Sequence, residues 1–344
     1  MTDHAMPKHT VEPKQGLNPG AHLPAVNGTP ALRATDTVAQ AGSAALTANL
    51  HQLVASTEAL RQDAQDPETL HQLHVALTRF CSTVRLFRLQ HRDPRWRAAS
   101  QQARALAKVV GKARDLDVFC RGALQGVRRA HPSDGALQAF AALARQAQTQ
   151  ARDDCRQALS SPGATRFTLE ALSLSKQLVD GGDIAAGVDA NAGSDPLLQT
   201  PAAPYLQGRL QALWARLQRR LRHAHSARSW HLARLAAKAL RHALELTQPV
   251  LSHRRRRARA LTKLVRLQQR LGQAHDQTVA QKLARRLASA SNDPTAAHAL
   301  ALVEGWCVRH RQARLRSQAH LQKIQSHLGI LAKKPAAADA KGVK

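Results

Sequence analysis

The chain has few aromatic residues: 4 Trp, 1 Tyr and 5 Phe in 344 residues. Proteins that hold single-stranded nucleic acid offer aromatic faces to the bases, and so sparse a supply argues against that chemistry. Acidic residues are also few, 23 against 51 Lys and Arg. Phosphoanhydride hydrolysis needs carboxylates to hold magnesium, so an enzyme of that class is disfavoured. Four cysteines stand at 81, 120, 155 and 307, none in a C-x-x-C pair. This spacing excludes a disulfide scaffold and predicts thiols in a reducing compartment. Glycine and proline gather at a few places, which argues against a β-sandwich. No run approaches the ~18–20 apolar residues of a membrane span. Residues 1–30 carry no apolar run either, so no signal peptide is expected. The expected location is the cytoplasm, without membrane insertion.

What is present is Ala, Leu, Arg and Gln, all good helix formers, and the fold class read from them is all-α. The length suits two packed units. Residues 1–40 lack periodicity and read as a disordered tail. Helical patterning covers 41–180. Residues 181–203 hold three aspartates, no Lys or Arg, and much Gly, Ala and Pro, the composition of a flexible linker. Patterning resumes over 204–330, and 331–344 reads as a basic tail. The first helical segment carries 19 basic and 12 acidic residues, net +7; the second carries 25 and 4, net +21. Self-repulsion of that size calls for a polyanionic partner, and the second segment should dominate binding.

The two segments repeat each other. His71 and Arg79 lead to Gly111-Lys-Ala-Arg114-Asp115; His231 and Lys238 lead to Gly272-Gln-Ala-His275-Asp276. The His-to-Asp separations are 44 and 45 residues, and segments 70–87 and 230–247 align without a gap. Two helical bundles related by a pseudo-two-fold axis are expected.

At 100° per residue, helix 230–247 places His231, Arg234, Lys238, Arg241, His242 and Glu245 on one side and Ala233, Ala237, Leu240 and Leu244 on the other. Cations on that side are not interleaved with acids at i,i+4. The side is therefore either a solvated face or a seat for a polyanion. The matching face of helix 69–88 carries His71, His74, Thr78, Cys81, Ser82 and Arg85, flanked by Arg79 and Arg88, above an apolar stripe of Leu73, Leu77, Phe80, Val84 and Phe87. Further cations cluster at Arg216–Arg222, at Arg254–Arg257 with Arg259 and Lys263, and at Arg309–Arg316. Guanidinium groups suit phosphate oxygens. Gly111 and Gly272 read as helix-closing glycines, with Asp115 and Asp276 near the start of the next helix; alternatively the two aspartates pair with the basic face. The 18 histidines show no ligand spacing, so no metal is expected. No phosphate-cradling glycine loop, H-E-x-x-H or G-x-S-x-G occurs, and no cofactor is expected.

His71 with V-A-x-x-Arg79, the stretch 111–118 (GKARDLDV), the segment 231–245 (HLARLAAKALRHALE) and 271–280 (LGQAHDQTVA) resemble the CHAD family, the conserved histidine α-helical domains, over about 41–330. The resemblance implies two four-helix bundles with pseudo-two-fold symmetry and a basic surface around a central cavity. It also implies binding of inorganic polyphosphate, often on granules in bacteria. Carried over by position are His71, Arg79 and Arg85, and His231, Arg234, Lys238 and Arg241. The family usually has arginines where this chain has His74, Thr78, Cys81 and Ala239, and a tyrosine where it has His242. The first half should therefore bind more weakly.

The candidate ligands for polyphosphate are His71, Arg79, Arg85, Arg88 and Arg114 in the first half. In the second they are Arg222, His231, Arg234, Lys238, Arg241, His242, Arg254, Arg255 and Lys263. A non-catalytic polyphosphate-binding protein of granules is the leading expectation, since polyphosphate offers charge and oxygens without bases. Sequence-independent binding of nucleic acid through its phosphates is the alternative.

Overall fold

The structure, a computed structural model, describes residues 32–63, 66–180, 195–251 and 254–315, apart from the side chains at 254, 256 and 311–315. Of the tail expected over 1–40, residues 1–31 lie outside the described residues, as do 181–194 of the linker expected over 181–203 and the chain from 316 on; residues 32–40 are described, and a helix begins among them at Val38. The chain is all-helical, as expected, and among the described residues the one extended pairing is an isolated bridge between Thr37 and Pro201.

The first half contains α1 (Val38–Gln62), α2 (Pro67–Leu86), α3 (Pro94–Phe119), α4 (Gln125–Ala130), α5 (Gly135–Leu159) and α6 (Pro162–Asp180). A π turn, Cys120–Leu124, joins α3 to α4. The second half contains α7 (Ala202–Arg222), α8 (Ala227–Thr247), α9 (Arg254–Ser289) and α10 (Ala296–Leu315). Short polar residues start the helices. Thr37 accepts from the Gln40 amide in a reciprocal capping box, and Asp66 accepts from the amides of Glu68 and Thr69 ahead of Pro67. Asp93 precedes Pro94 in the same way, and Ser226 caps α8. Each cap satisfies amides that a helix start leaves unpaired, and proline at the first helical position loses nothing.

α1 packs on α7, α2 on α8 and α3 on α9 across the halves, an arrangement compatible with a two-fold relation between them. The apolar stripes read from sequence are buried as drawn: Leu73, Leu77, Phe80, Val84 and Phe87 on α2, and Ala233, Ala237, Leu240 and Leu244 on α8. They join one hydrophobic core that runs through both halves from Leu32 to Leu271. A second cluster sits between the π turn, α5, the C-terminal part of α9 and α10.

Three local expectations need correction. Gly111 and Gly272 do not close helices; both lie inside one, in α3 and α9. A β-carbon at Gly111 would lie 3.6 Å from the His74 ring, an ordinary van der Waals contact, so the packing there does not require a glycine. Asp115 and Asp276 are accordingly mid-helix and cap nothing. Residues 195–201 are ordered rather than linker-like. Asp195 caps a 3-10 turn, Pro196–Gln199, and pairs with Arg92. Backbone bonds from Val38 to Thr200 and from Ala202 to Asp36, each 2.9 Å, fasten this stretch to the start of α1.

Candidate functional site

The polar face of α8 is not turned to solvent. It faces α2, α3 and α9, so its cations meet those of the other half in an internal tract. The cause is packing: α8 buries its alanine stripe on the core side and lays its polar side along α2.

At one end, Arg79 of α2 and Arg241 of α8 share Glu245, at 2.9 and 2.6 Å, and Arg241 also reaches Gln268 of α9. In the middle stand Lys238, His71, His74 and Arg114. The Arg114 guanidinium donates to His71 Nδ1 at 3.2 Å, which fixes that histidine as an acceptor. Beyond them come Arg234, Asp115 and Asp276, and at the far end His231 lies 4.9 Å from His275. In the repeat, Arg114 and His275 occupy the same position, as do His71 and His231. Each half thus puts its conserved-type histidine against the same site on the partner helix.

The electrostatics are those of crowded like charges. Burial first, then Arg234, Arg114, Arg241 and Arg79, pull the Lys238 ammonium down to about 8. Burial and then Lys238 and Arg114 hold His74 down at about 3, and burial with Arg234 and His231 holds His275 at about 4. His71 and His231 are lowered mainly by burial, and His242 well below its ordinary range by burial and then Lys238. Arg234 is lowered by burial and supported by Asp276 and Asp115. Of the two readings of these aspartates, pairing with the basic face is the one that fits. The imidazole Nδ1 atoms of His74 and His242 are out of reach of solvent and lack a hydrogen-bond partner. Lys238 makes no hydrogen bond or ion pair with a described residue.

Lys238 therefore costs the fold stability. Its folded-state value lies below the unfolded one of 10.5, so the cost is full below about 8 and disappears as pH rises toward 10.5. Lys238→Met, which keeps the stem and removes the charge, should raise stability at pH 7 by on the order of 1–2 kcal/mol after solvent screening. Thermal melts should show a higher Tm than wild type at pH 7 and a shrinking difference above pH 9; a lower Tm at pH 7 would contradict the crowding.

Beside the tract a cleft of about 170 Å³ opens between α1, α2, α7 and α8. Arg79, Arg85, Arg209, Arg216, His242 and Ala239 are among the residues lining it. Arg209 also donates to the Leu86 carbonyl, closing the C-terminal end of α2.

The sequence-predicted set divides. The tract gathers His71, Arg79, Arg114, His231, Arg234, Lys238, Arg241 and His242, and Arg85 borders it on the cleft. Arg88 stands apart and exposed, in left-handed backbone at φ 57. Arg222 is exposed in the last turn of α7. Arg255 is exposed and Lys263 half-exposed on α9. The Arg254 side chain is outside the described residues. Residues not in the predicted set are His74, His275, Asp115, Asp276, Glu245 and Arg209. The repeat carried a signal for His275, which aligns with Arg114.

The profile of the CHAD domain matches residues 44–285. The chain belongs to the CHAD family. The crystal structure of the CHAD domain from the plant Ricinus communis is similar at 28% identity and a TM-score of 0.70, over 86% of this chain and 93% of that one. PptA from Streptomyces chartreusis has the same fold at 15% identity and a TM-score of 0.61, over 84% and 100%. No curated protein sequence matches the chain. Within the CHAD fold, the departures at Ala239 and His242 fall on the cleft: it lies open beside an alanine where the family usually has an arginine. Among the described residues no three His, Cys, Asp or Glu side chains come together as a metal site, and no helix is long and apolar enough to cross a membrane.

Proposed function

We propose that this CHAD protein binds inorganic polyphosphate without transforming it, along the tract between α2, α3, α8 and α9, and that this binding carries it to polyphosphate granules. The observation that supports the reading is the excess positive charge of the tract, which Glu245, Asp115 and Asp276 offset only in part. Arg234, Lys238, Arg241, Arg79 and Arg114 converge from three helices, and Lys238 has no partner of its own. The cost of crowding these groups is relieved by a ligand that is itself a run of phosphates. CHAD proteins are associated with polyphosphate and triphosphate binding and are generally non-catalytic. No Trp, Tyr or Phe is among the tract residues, so a chain of phosphates fits better than stacked bases.

The test is a competition titration. Labelled long-chain polyphosphate bound to the purified protein near physiological salt is challenged with unlabelled polyphosphate, DNA and RNA at matched charge. Unlabelled polyphosphate is expected to compete at least about tenfold better than either nucleic acid, given the base-free site. Equal competition would overturn selectivity and leave a general phosphate-backbone binder.

A further inference from the structure

α9 carries a second set of cations that the tract does not use. Take the buried Leu264 as zero at 100° per residue. Arg255, Arg259, Lys263, Arg266 and Arg270 then fall within an arc of about 80°, centred nearly opposite Leu264. Arg255, Arg259 and Arg266 are exposed and Lys263 half-exposed, whereas Leu264 and Leu267 are buried. The row spans about 22 Å of helix at 1.5 Å per residue. His275, which joins the tract against His231, points about 160° away from the centre of that arc by the same period. The body of α9 and the core beneath it separate the row from the tract.

The row lacks the neutralising acids that some exposed arginines of this chain have. Arg61 pairs with Glu58, Arg156 with Asp153 and Arg285 with Glu304, the usual neutralisation of a solvated helix face. α9 has no acid from Arg254 to His275. Arg255, Arg259, Lys263 and Arg266 make no hydrogen bond or ion pair with a described residue. They follow one another at i,i+4 and i,i+3, where like charges destabilise a helix by about 0.2–0.5 kcal/mol per pair. A linear polyanion laid along the helix removes that repulsion and engages the guanidinium groups bidentately.

We propose that the outer face of α9 is a second, separate polyphosphate-binding surface, so that one molecule bridges two polyphosphate chains. The proposal rests on the tract being the first polyphosphate site. A phosphate chain is favoured over single-stranded nucleic acid because the row holds no aromatic side chain, and none of the exposed residues between its cations, Ala258, Thr262 and Gln269, is aromatic.

The experiment is sandwich capture with the full chain. Protein is loaded on beads carrying long-chain polyphosphate, washed, and offered fluorescent polyphosphate, with fluorescent duplex DNA in a parallel arm. Wild type is expected to retain the fluorescent polyphosphate. The variant Arg255→Gln, Arg259→Gln, Arg266→Gln, altered only at exposed positions, is expected to load within about twofold of wild type yet retain about tenfold less of the second chain, as phosphate contacts are lost. Retention of the second chain by this variant at the wild-type level would overturn the proposal, as would no retention by wild type. Failure of the variant to load would show one continuous site and overturn it equally, and so would stronger retention of DNA than of polyphosphate by wild type. The tract reading fails by a different result: adding Arg234→Ala, Lys238→Ala and Arg241→Ala to that variant and finding that it still loads as well as without them, which removes the bridge too.

Discussion

Replacing Arg234, Lys238 and Arg241 together by alanine is expected to lower affinity for long-chain polyphosphate by on the order of a hundredfold or more, with the protein still folded. Charge-assisted hydrogen bonds contribute about 1.5–3 kcal/mol each, so loss of three such contacts reaches that range even if they are far from additive. Folding survives for two reasons. The three side chains lie off the buried stripe of Ala233, Ala237, Leu240 and Leu244, and their removal thins a crowd of like charges. Glu245 keeps Arg79 as its partner when Arg241 is gone. The matching change at Arg79 and Arg85 should cost less, because it removes only two cations and one of them, Arg85, is exposed at the rim. Fluorescence titration of both variants, with circular dichroism as the check on folding, decides this. An equal or larger loss from the Arg79 and Arg85 pair would contradict the asymmetry, and unfolding of the triple variant would contradict the placement of its side chains.

Binding is expected to tighten as pH falls, with uptake of protons. In the free protein the tract histidines stay neutral far below their ordinary range, His74 to about 3 and His275 to about 4, because burial and neighbouring cations oppose their charging. A bound polyanion reverses that potential and raises them. Affinity then increases as pH drops through the bound-state values and levels off below the free-state ones. One linked proton changes affinity about tenfold per pH unit at most, so Kd should fall by about tenfold or more from pH 7.5 to 5.5. Calorimetry in two buffers of different ionisation enthalpy should show net proton uptake near pH 6. The free protein behaves in the opposite sense. In the unfolded chain His74 and His275 bind protons near 6.5 and in the folded one only at about 3 and about 4, so the Tm should drop as pH falls below 6.5. Binding that is flat with pH, or proton release, would rule out the histidines as participants.

The faces of α2 and α8 were fully legible in the sequence, since a 3.6-residue period sorts Leu73 or Ala237 to one side and His71 or Lys238 to the other without further information. The direction that the polar side takes was not. Whether Lys238 meets water or Arg114 depends on how α8 lies against α2 and α3, and no local pattern records it. Glu245 and Arg79 are 166 positions apart and meet only after the halves close, while Arg114 and His71, 43 apart, meet only when α3 packs on α2. Gly111 was misread as a helix-closing glycine; it lies inside α3, and a β-carbon there would meet the His74 ring at ordinary contact distance. For Gly272 there is open space around the position a β-carbon would take, and nothing in the structure explains a glycine there. Arg255 and Lys263 are cations of the right type, but their place on α9 is set by which side Leu264 and Leu267 bury.

Glu245 holds Arg79 and Arg241 side by side before any ligand arrives. It acts as a resident competitor, tethered at a local concentration that a free ion in solution does not match. Orthophosphate, meeting these arginines alone, has to displace the carboxylate with nothing else in its favour. A long chain already held at Lys238 and Arg234 brings its next phosphate to the same arginines at comparable local concentration. On the proposed reading, the carboxylate is expected to favour a polymer over monomeric phosphate at these arginines.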